Sequence, residues 1–150
     1  MPGPFRYQHR FGSSCPRWTV PREVILDLLT RTSRHLSAKE IYAALSSFYP
    51  GIGLTTIYRT LDLLGRLGLV RRITAGDGQT RYELKREDDK NHHHHLICIK
   101  CSKILDYCDF LQEELELVKK TEAALAKKYG FLVMDHNIEF LGLCKECREK

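Results

Sequence analysis

Residues 91–101 read Asn-His-His-His-His-Leu-Ile-Cys-Ile-Lys-Cys. This run constrains the chain more than any other. Imidazole and thiolate are the side chains that bind borderline transition metals best. Leu96, Ile97, Cys98 and Ile99 are strand-like, and a strand continued back through the histidines alternates its side chains between two faces. His93 and His95 then point one way, and His92 and His94 the other. One short run can therefore serve two separate metal sites, and the cysteine pair a third. Its internal position, fused to an apolar strand and a Cys-x-x-Cys, sets the run apart from a purification tag.

A second Cys-x-x-Cys closes the chain. Cys98, Cys101, Cys144 and Cys147 give four thiolates in two knuckles, the donor set of a closed tetrahedral structural Zn²⁺ site. The 42 residues between the pairs exceed a compact zinc ribbon, so the knuckles lie on separate elements. Cys15 and Cys108 have no such partner and read as structural.

No apolar run reaches transmembrane length, and the first 14 residues lack the apolar stretch of a signal peptide. A cytoplasmic protein with no membrane partner is expected, and there clustered cysteines more often hold metal than form disulfides. The formal charge of +5 is unevenly spread. Residues 1–86 hold 14 Lys and Arg against 6 Asp and Glu, and residues 87–150 hold 10 against 13. A basic half joined to an acidic half points to nucleic-acid binding by the first.

The order of elements fits that division. Thr19 caps a first helix with Pro21 in its first turn and a stripe of Val24, Ile25, Leu28 and Leu29. Ser37-Ala-Lys-Glu40 is a capping box opening a second helix, with Ile41, Ala44, Leu45 and Phe48 on one face. Residues 54–67 form a third helix. Ile57, Leu61 and Leu64 face inward, Thr55, Arg59, Asp62 and Arg66 share another face, and Gly68 caps the end. Strand-like runs 69–74 and 80–84 flank Ala75-Gly76-Asp77-Gly78, a hairpin turn. Three helices and a hairpin make a winged helix-turn-helix, with the last helix in the major groove. Residues 85–90, all charged, form a linker. Beyond the His/Cys run come a short strand 104–107, a helix 110–129 with Leu111, Leu115, Val118 and Leu125 near one stripe, and a strand or strand pair across 131–143. The expected architecture is α+β. A winged-helix domain spans 1–84, a linker 85–91, and a small α/β metal-binding domain 92–150.

Tyr58 and Arg59 lie in the first turns of the third helix, with Thr55 just before them. Arg59 suits a bidentate guanine contact or a phosphate, and Tyr58 a thymine methyl or a phosphate. Arg17 and Arg22 are candidates for phosphate contacts. His35, Glu83, Asp106, Glu113 and His136 are further candidate metal ligands, none of them decisive alone.

Taken together, His35-Leu-Ser-Ala, Leu54-Thr-Thr-Ile-Tyr-Arg-Thr-Leu61, Tyr82-Glu-Leu84, His92–Cys98 with Cys101, His136 and Cys144-x-x-Cys147 resemble the ferric uptake regulator (Fur) family of metal-sensing bacterial repressors. The resemblance implies a homodimer, with 92–150 as its dimerisation domain, that binds a palindromic double-stranded DNA operator. It implies a regulatory site of His35, Glu83, His93, His95 and Asp106, which spans both domains and takes Fe²⁺, Zn²⁺ or Mn²⁺. It also implies an accessory site of His92, His94, Glu113 and His136, where His94 stands in place of the family's usual Asp. A metal shared between the domains would fix the hinge angle, and with it the spacing of two recognition helices.

Other readings remain within and outside that family. A zinc-uptake regulator fits the same ligands. A peroxide sensor usually carries Asp at the Glu83 position, so Glu83 leans away from it. A small metalloenzyme would need an open metal position with a base nearby, and there is no His-Glu-x-x-His. The expectation is a regulator and not an enzyme. A metal-storage module would not bind DNA in a salt-dependent way.

Overall fold

The computed structural model describes residues 18–32, 34–85, 93–109, 111–134 and 136–149. The chain divides into two units, Met1–Thr74 with Gly78–Lys85, and Ala75–Asp77 with Arg86–Lys150. Of the expected linker, only Lys85 is described, and Arg17, Cys15 and His92 also lie outside the described residues.

In the first unit, α1 (Val20–Arg31) begins after Thr19, with Pro21 in its first turn. Ile25, Leu26 and Leu29 are buried, while Val24 and Leu28 pack at the margin. Helix α2 (Ala38–Leu45) opens with the capping box. The Glu40 amide donates to Ser37 Oγ, and Glu40 Oε2 accepts from the Ser37 amide. Two orphan N–H groups of the helix start are thereby satisfied. Ile41 and Leu45 are buried, but Ala44 is exposed and Phe48 is 78% exposed. Phe48 leaves the expected four-residue face because α2 ends at Leu45, so Phe48 is no longer on its helical phase.

Helix α3 (Leu54–Arg66) buries Ile57, Leu61 and Leu64 completely. These stripes meet Trp18, Leu36, Val70 and Tyr82 in one core. Gly68 turns the chain out of α3 with φ +70°, a conformation only glycine adopts freely. Strands β2 (Val70–Thr74) and β3 (Thr80–Leu84) form the expected hairpin. A third strand was not expected: β1 (Leu36–Ser37) pairs with β3, giving the order β1-β3-β2. Two residues are too few to show a period of two in sequence.

The second unit has a mixed sheet of order β5-β4-β6. Strand β4 (His94–Cys98) runs antiparallel to β5 (Ile104–Tyr107) and parallel to β6 (Glu139–Gly142). Helix α4 (Leu111–Tyr129) connects them, and Gly130 leaves it at φ +62°. Leu115 and Val118 are half-buried, whereas Leu125 is exposed. The strand expected across 131–143 is confined to Glu139–Gly142, and residues 131–134 form no regular structure. A last turn, α5 (Lys145–Arg148), begins at Cys144. No described helix is long and apolar enough to cross a membrane.

Candidate metal centres and nucleic-acid interface

Parallel pairing of β4 with β6 builds the cysteine centre. Cys98 ends β4 opposite Gly142, and the Ile99 amide donates to the Gly142 carbonyl. The first knuckle is closed by the Ser102 amide on the Cys98 carbonyl, with Ser102 at φ +62°. In the second, the Cys147 amide donates to the Cys144 carbonyl at the start of α5. Cys101 Sγ and Cys144 Sγ are 3.6 Å apart, and all four sulfurs lie within 4.8 Å of one another. Zn–S bonds of about 2.3 Å in a tetrahedron place sulfurs about 3.8 Å apart, so the four cysteines fit Zn²⁺. None forms a disulfide.

The thiols differ in acidity. The Cys144 amide, then the Cys101 amide, pull Cys98 down to about 6. Desolvation, reinforced by neighbouring thiols, pushes Cys147 up to about 12. A cation of charge +2 reverses such a rise, because a coordinating thiol is deprotonated outright.

In the first unit, pairing of β1 with β3 sets His35 beside Glu83. His35 Nε2 lies 3.2 Å from Glu83 Oε2, with the side chains 8% and 12% exposed. Arg71 Nη1 approaches the other Glu83 oxygen at 3.6 Å. An imidazole and a carboxylate are thus held together in a largely dry corner of this unit.

In the second unit, His95 sits opposite Asp106 across β4 and β5, and its Nε2 is 3.7 Å from Asp106 Oδ1. His93 packs edge-on to His95, with ring centroids 5.0 Å apart. His94 points away from this pair. Its ring lies 6.1 Å from His136 and 5.6 Å from Tyr107. The alternation of faces read from the sequence thus holds for the three described histidines. His94 and His95 are both fully buried.

The carboxylate brought to His94 is Glu114, at 3.3 Å, not the expected Glu113, which is exposed. Glu114 also accepts from Tyr107 Oη at 3.0 Å, and His136 Nδ1 lies 3.3 Å from Glu122 Oε1. Desolvation, with help from Glu114, pushes the Tyr107 hydroxyl up to about 12. These residues form a chain of pairwise contacts. Glu114, Glu122 and Tyr107 were missed in the sequence, although the stripe through Leu115 and Val118 carries a signal. Positions 114, 118 and 122 share one face of α4, and 113 is rotated from it by about 100°.

On α3, the face opposite Ile57, Leu61 and Leu64 is open. Thr55 and Arg59 are exposed, and Tyr58 is partly so. Arg22 is half-buried in the first turn of α1.

Residues 14–141 match the sequence model of the Ferric uptake regulator family. The chain is 35% identical over 146 residues to the ferric uptake regulation protein of Bacillus subtilis (strain 168), covering 97% of this chain and 94% of that protein. It is 34% identical over 134 residues to the peroxide-responsive repressor PerR of Staphylococcus aureus (strain USA300), covering 89% and 84%. Among solved structures, the Helicobacter pylori ferric uptake regulator, described as having three functional metal binding sites, superposes with a TM-score of 0.68. The identity there is 26%, over 89% of this chain and 83% of that one.

Proposed function

The chain belongs to the ferric uptake regulator family, and from that premise we propose how it acts as a metal-dependent DNA-binding transcriptional repressor. Residues 1–84 work as a winged helix-turn-helix, with α3 as the recognition helix and the β2–β3 hairpin as the wing. Residues 92–150 work as a dimerisation domain, and 85–91 as the hinge between them. As in other regulators, the metal sites switch binding and do not catalyse a reaction.

The observation that carries this reading is the distribution of the donors. The first unit holds His35 against Glu83, and the second holds His95 against Asp106 with His93 beside it. Each set alone is short of a full coordination shell. Three imidazoles and two carboxylates together suit Fe²⁺, Mn²⁺ or Zn²⁺. In the proposed active state both sets bind one divalent cation, which fixes the angle between the units. In a dimer that angle sets the separation of two recognition helices, and so the fit to a palindromic operator. A cation that binds this closed state better than the open one shifts the population towards it.

The cysteine centre is the structural zinc site. It ties the chain end back to β4 and steadies the sheet. The sheet also offers an apolar face for a second copy of the chain. A groove of about 210 Å³ is lined by Leu96, Leu105, Phe140, Leu141 and Leu143, all of them exposed. Apolar area of this kind on a small domain marks an interaction surface. A cytoplasmic location fits this reading, because reduced thiolates persist there. The accessory position, if it takes metal, draws on His94, His136 and Glu114 rather than Glu113.

Metal titration followed by operator anisotropy tests the clamp. His35→Ala, in the first unit, and His95→Ala, in the second, should each abolish metal-activated binding. Retention of activation by either variant would refute a shared ion.

A further inference from the structure

The stripe of α3 that carries Thr55 and Arg59 holds its arginines in two different ways. Arg59 is exposed and has no ion-pair partner among the described residues. Further along the same stripe, Asp62 holds two arginines at once. Its Oδ2 accepts from Arg66 Nη2 at 2.7 Å, and its Oδ1 from Arg72 Nη2 at 2.7 Å. Arg66 is one turn away on α3, but Arg72 comes from β2. It reaches Asp62 by lying across the helix at Gly65, where an added Cβ would sit 3.3 Å from Arg72 Nε. A small residue at 65 opens that path.

Stability does not account for the cluster. The side chains are 72%, 48% and 45% exposed for Arg66, Asp62 and Arg72. Ion pairs in such exposure contribute little. The Arg72 hydrogen bond, backed by Arg66, holds the Asp62 carboxyl below its ordinary value, so the carboxylate is charged at neutral pH. Guanidinium groups on long stems are the side chains best suited to phosphate oxygens. A carboxylate set between two of them repels phosphate and keeps both guanidiniums occupied.

We propose that Asp62 is a specificity-determining residue of the DNA interface, which restrains Arg66 and Arg72 from binding backbone phosphate in registers where Arg59 meets the wrong bases. This rests on the DNA-binding reading above. Binding to arbitrary duplex comes almost wholly from phosphate contacts. Two unrestrained arginines beside the reading helix would add to it in every register. At the operator, base contacts fix the helix, and extra phosphate contacts add proportionally less. Discrimination is a difference of affinities, and it can be built by weakening the wrong complex.

The test uses full-length protein, saturated with the metal that activates it, and fluorescence anisotropy. The probes are a duplex that the wild-type protein selects from a random-sequence pool and a shuffled duplex of the same composition. Asp62→Asn should bind the shuffled duplex several-fold more tightly. Its dependence of log affinity on log salt should steepen by about 0.9 for each arginine that gains a phosphate. Affinity for the selected duplex should change less, so the ratio between duplexes falls. Adding Arg66→Gln and Arg72→Gln should remove the gain. The proposal is overturned if Asp62→Asn leaves shuffled-duplex affinity and salt slope unchanged, or if the gain survives loss of both arginines. It is also overturned if the variant melts earlier and loses affinity for both duplexes equally, the mark of a structural role. Failure of the wild-type protein to select any duplex would instead remove the DNA-binding reading itself.

Discussion

The Cys144 amide donates to Cys98 Sγ at 3.4 Å, joining points 46 residues apart in the chain. That contact seats the second knuckle on the first before any ion is considered, and it lowers the pKa of the thiol that ends β4. Zinc binding to such a set is worth ~10–16 kcal/mol in zinc-finger peptides. Cys101→Ser or Cys144→Ser should therefore lose zinc and dimer together, read by metal analysis and size-exclusion chromatography. A metal-free dimer with four titratable thiols at these positions would contradict the assignment.

Arg59 stands exposed in the first turns of α3, with no ion-pair partner among the described residues. Arg59→Ala should weaken operator binding by ~1–3 kcal/mol if it contacts a base. Zinc content and oligomeric state should not change. An electrophoretic shift at moderate salt that matches the wild type would show that another face of the helix meets DNA.

The capping box of α2 has its own pH signature. The Ser37 amide, then its hydroxyl, hold the Glu40 carboxyl below 4.5. A depressed acid stabilises the fold in full above its unfolded value and loses that contribution as pH falls through the folded value. The box should thus support α2 at neutral pH and fade below about 4.5. Ser37→Ala should cost about 1 kcal/mol at pH 7. Melting curves of the two proteins should converge in acid.

Much of this arrangement is legible in the sequence, because local rules and burial agree. Ile57, Leu61 and Leu64 repeat at helical spacing and are completely buried. Ser37 and Glu40 announce the start of α2, and the two knuckles announce their centre. The misses have physical causes. Phe48 continues a helical pattern that α2 abandons at Leu45. Strand β1 exists only because β3 offers it an edge. The choice of Glu114 over Glu113 depends on the rotation of α4, which two adjacent acids do not reveal. Nor does spacing assemble the proposed regulatory ligands. His35, Glu83 and Asp106 are remote in sequence from His93 and His95, and only the family resemblance joins them.

The histidine run offers the sharpest test of the switch. His95 is buried beside Asp106, and His94, one residue earlier, turns towards His136 on the opposite side of β4. The alternation read from the sequence predicts that His92, outside the described residues, groups with His94. His95→Ala and His35→Ala should each abolish metal-activated DNA binding while retaining the zinc of the cysteine centre, and His92→Ala should have the milder effect. Ligation needs neutral imidazole, so activation by metal should weaken as pH drops below about 6.5. Titrating metal into each variant, with operator binding followed by anisotropy, separates the possibilities. If His92→Ala is as inactive as His95→Ala, the run builds one site and not two, and the two faces of β4 do not divide the work of sensing.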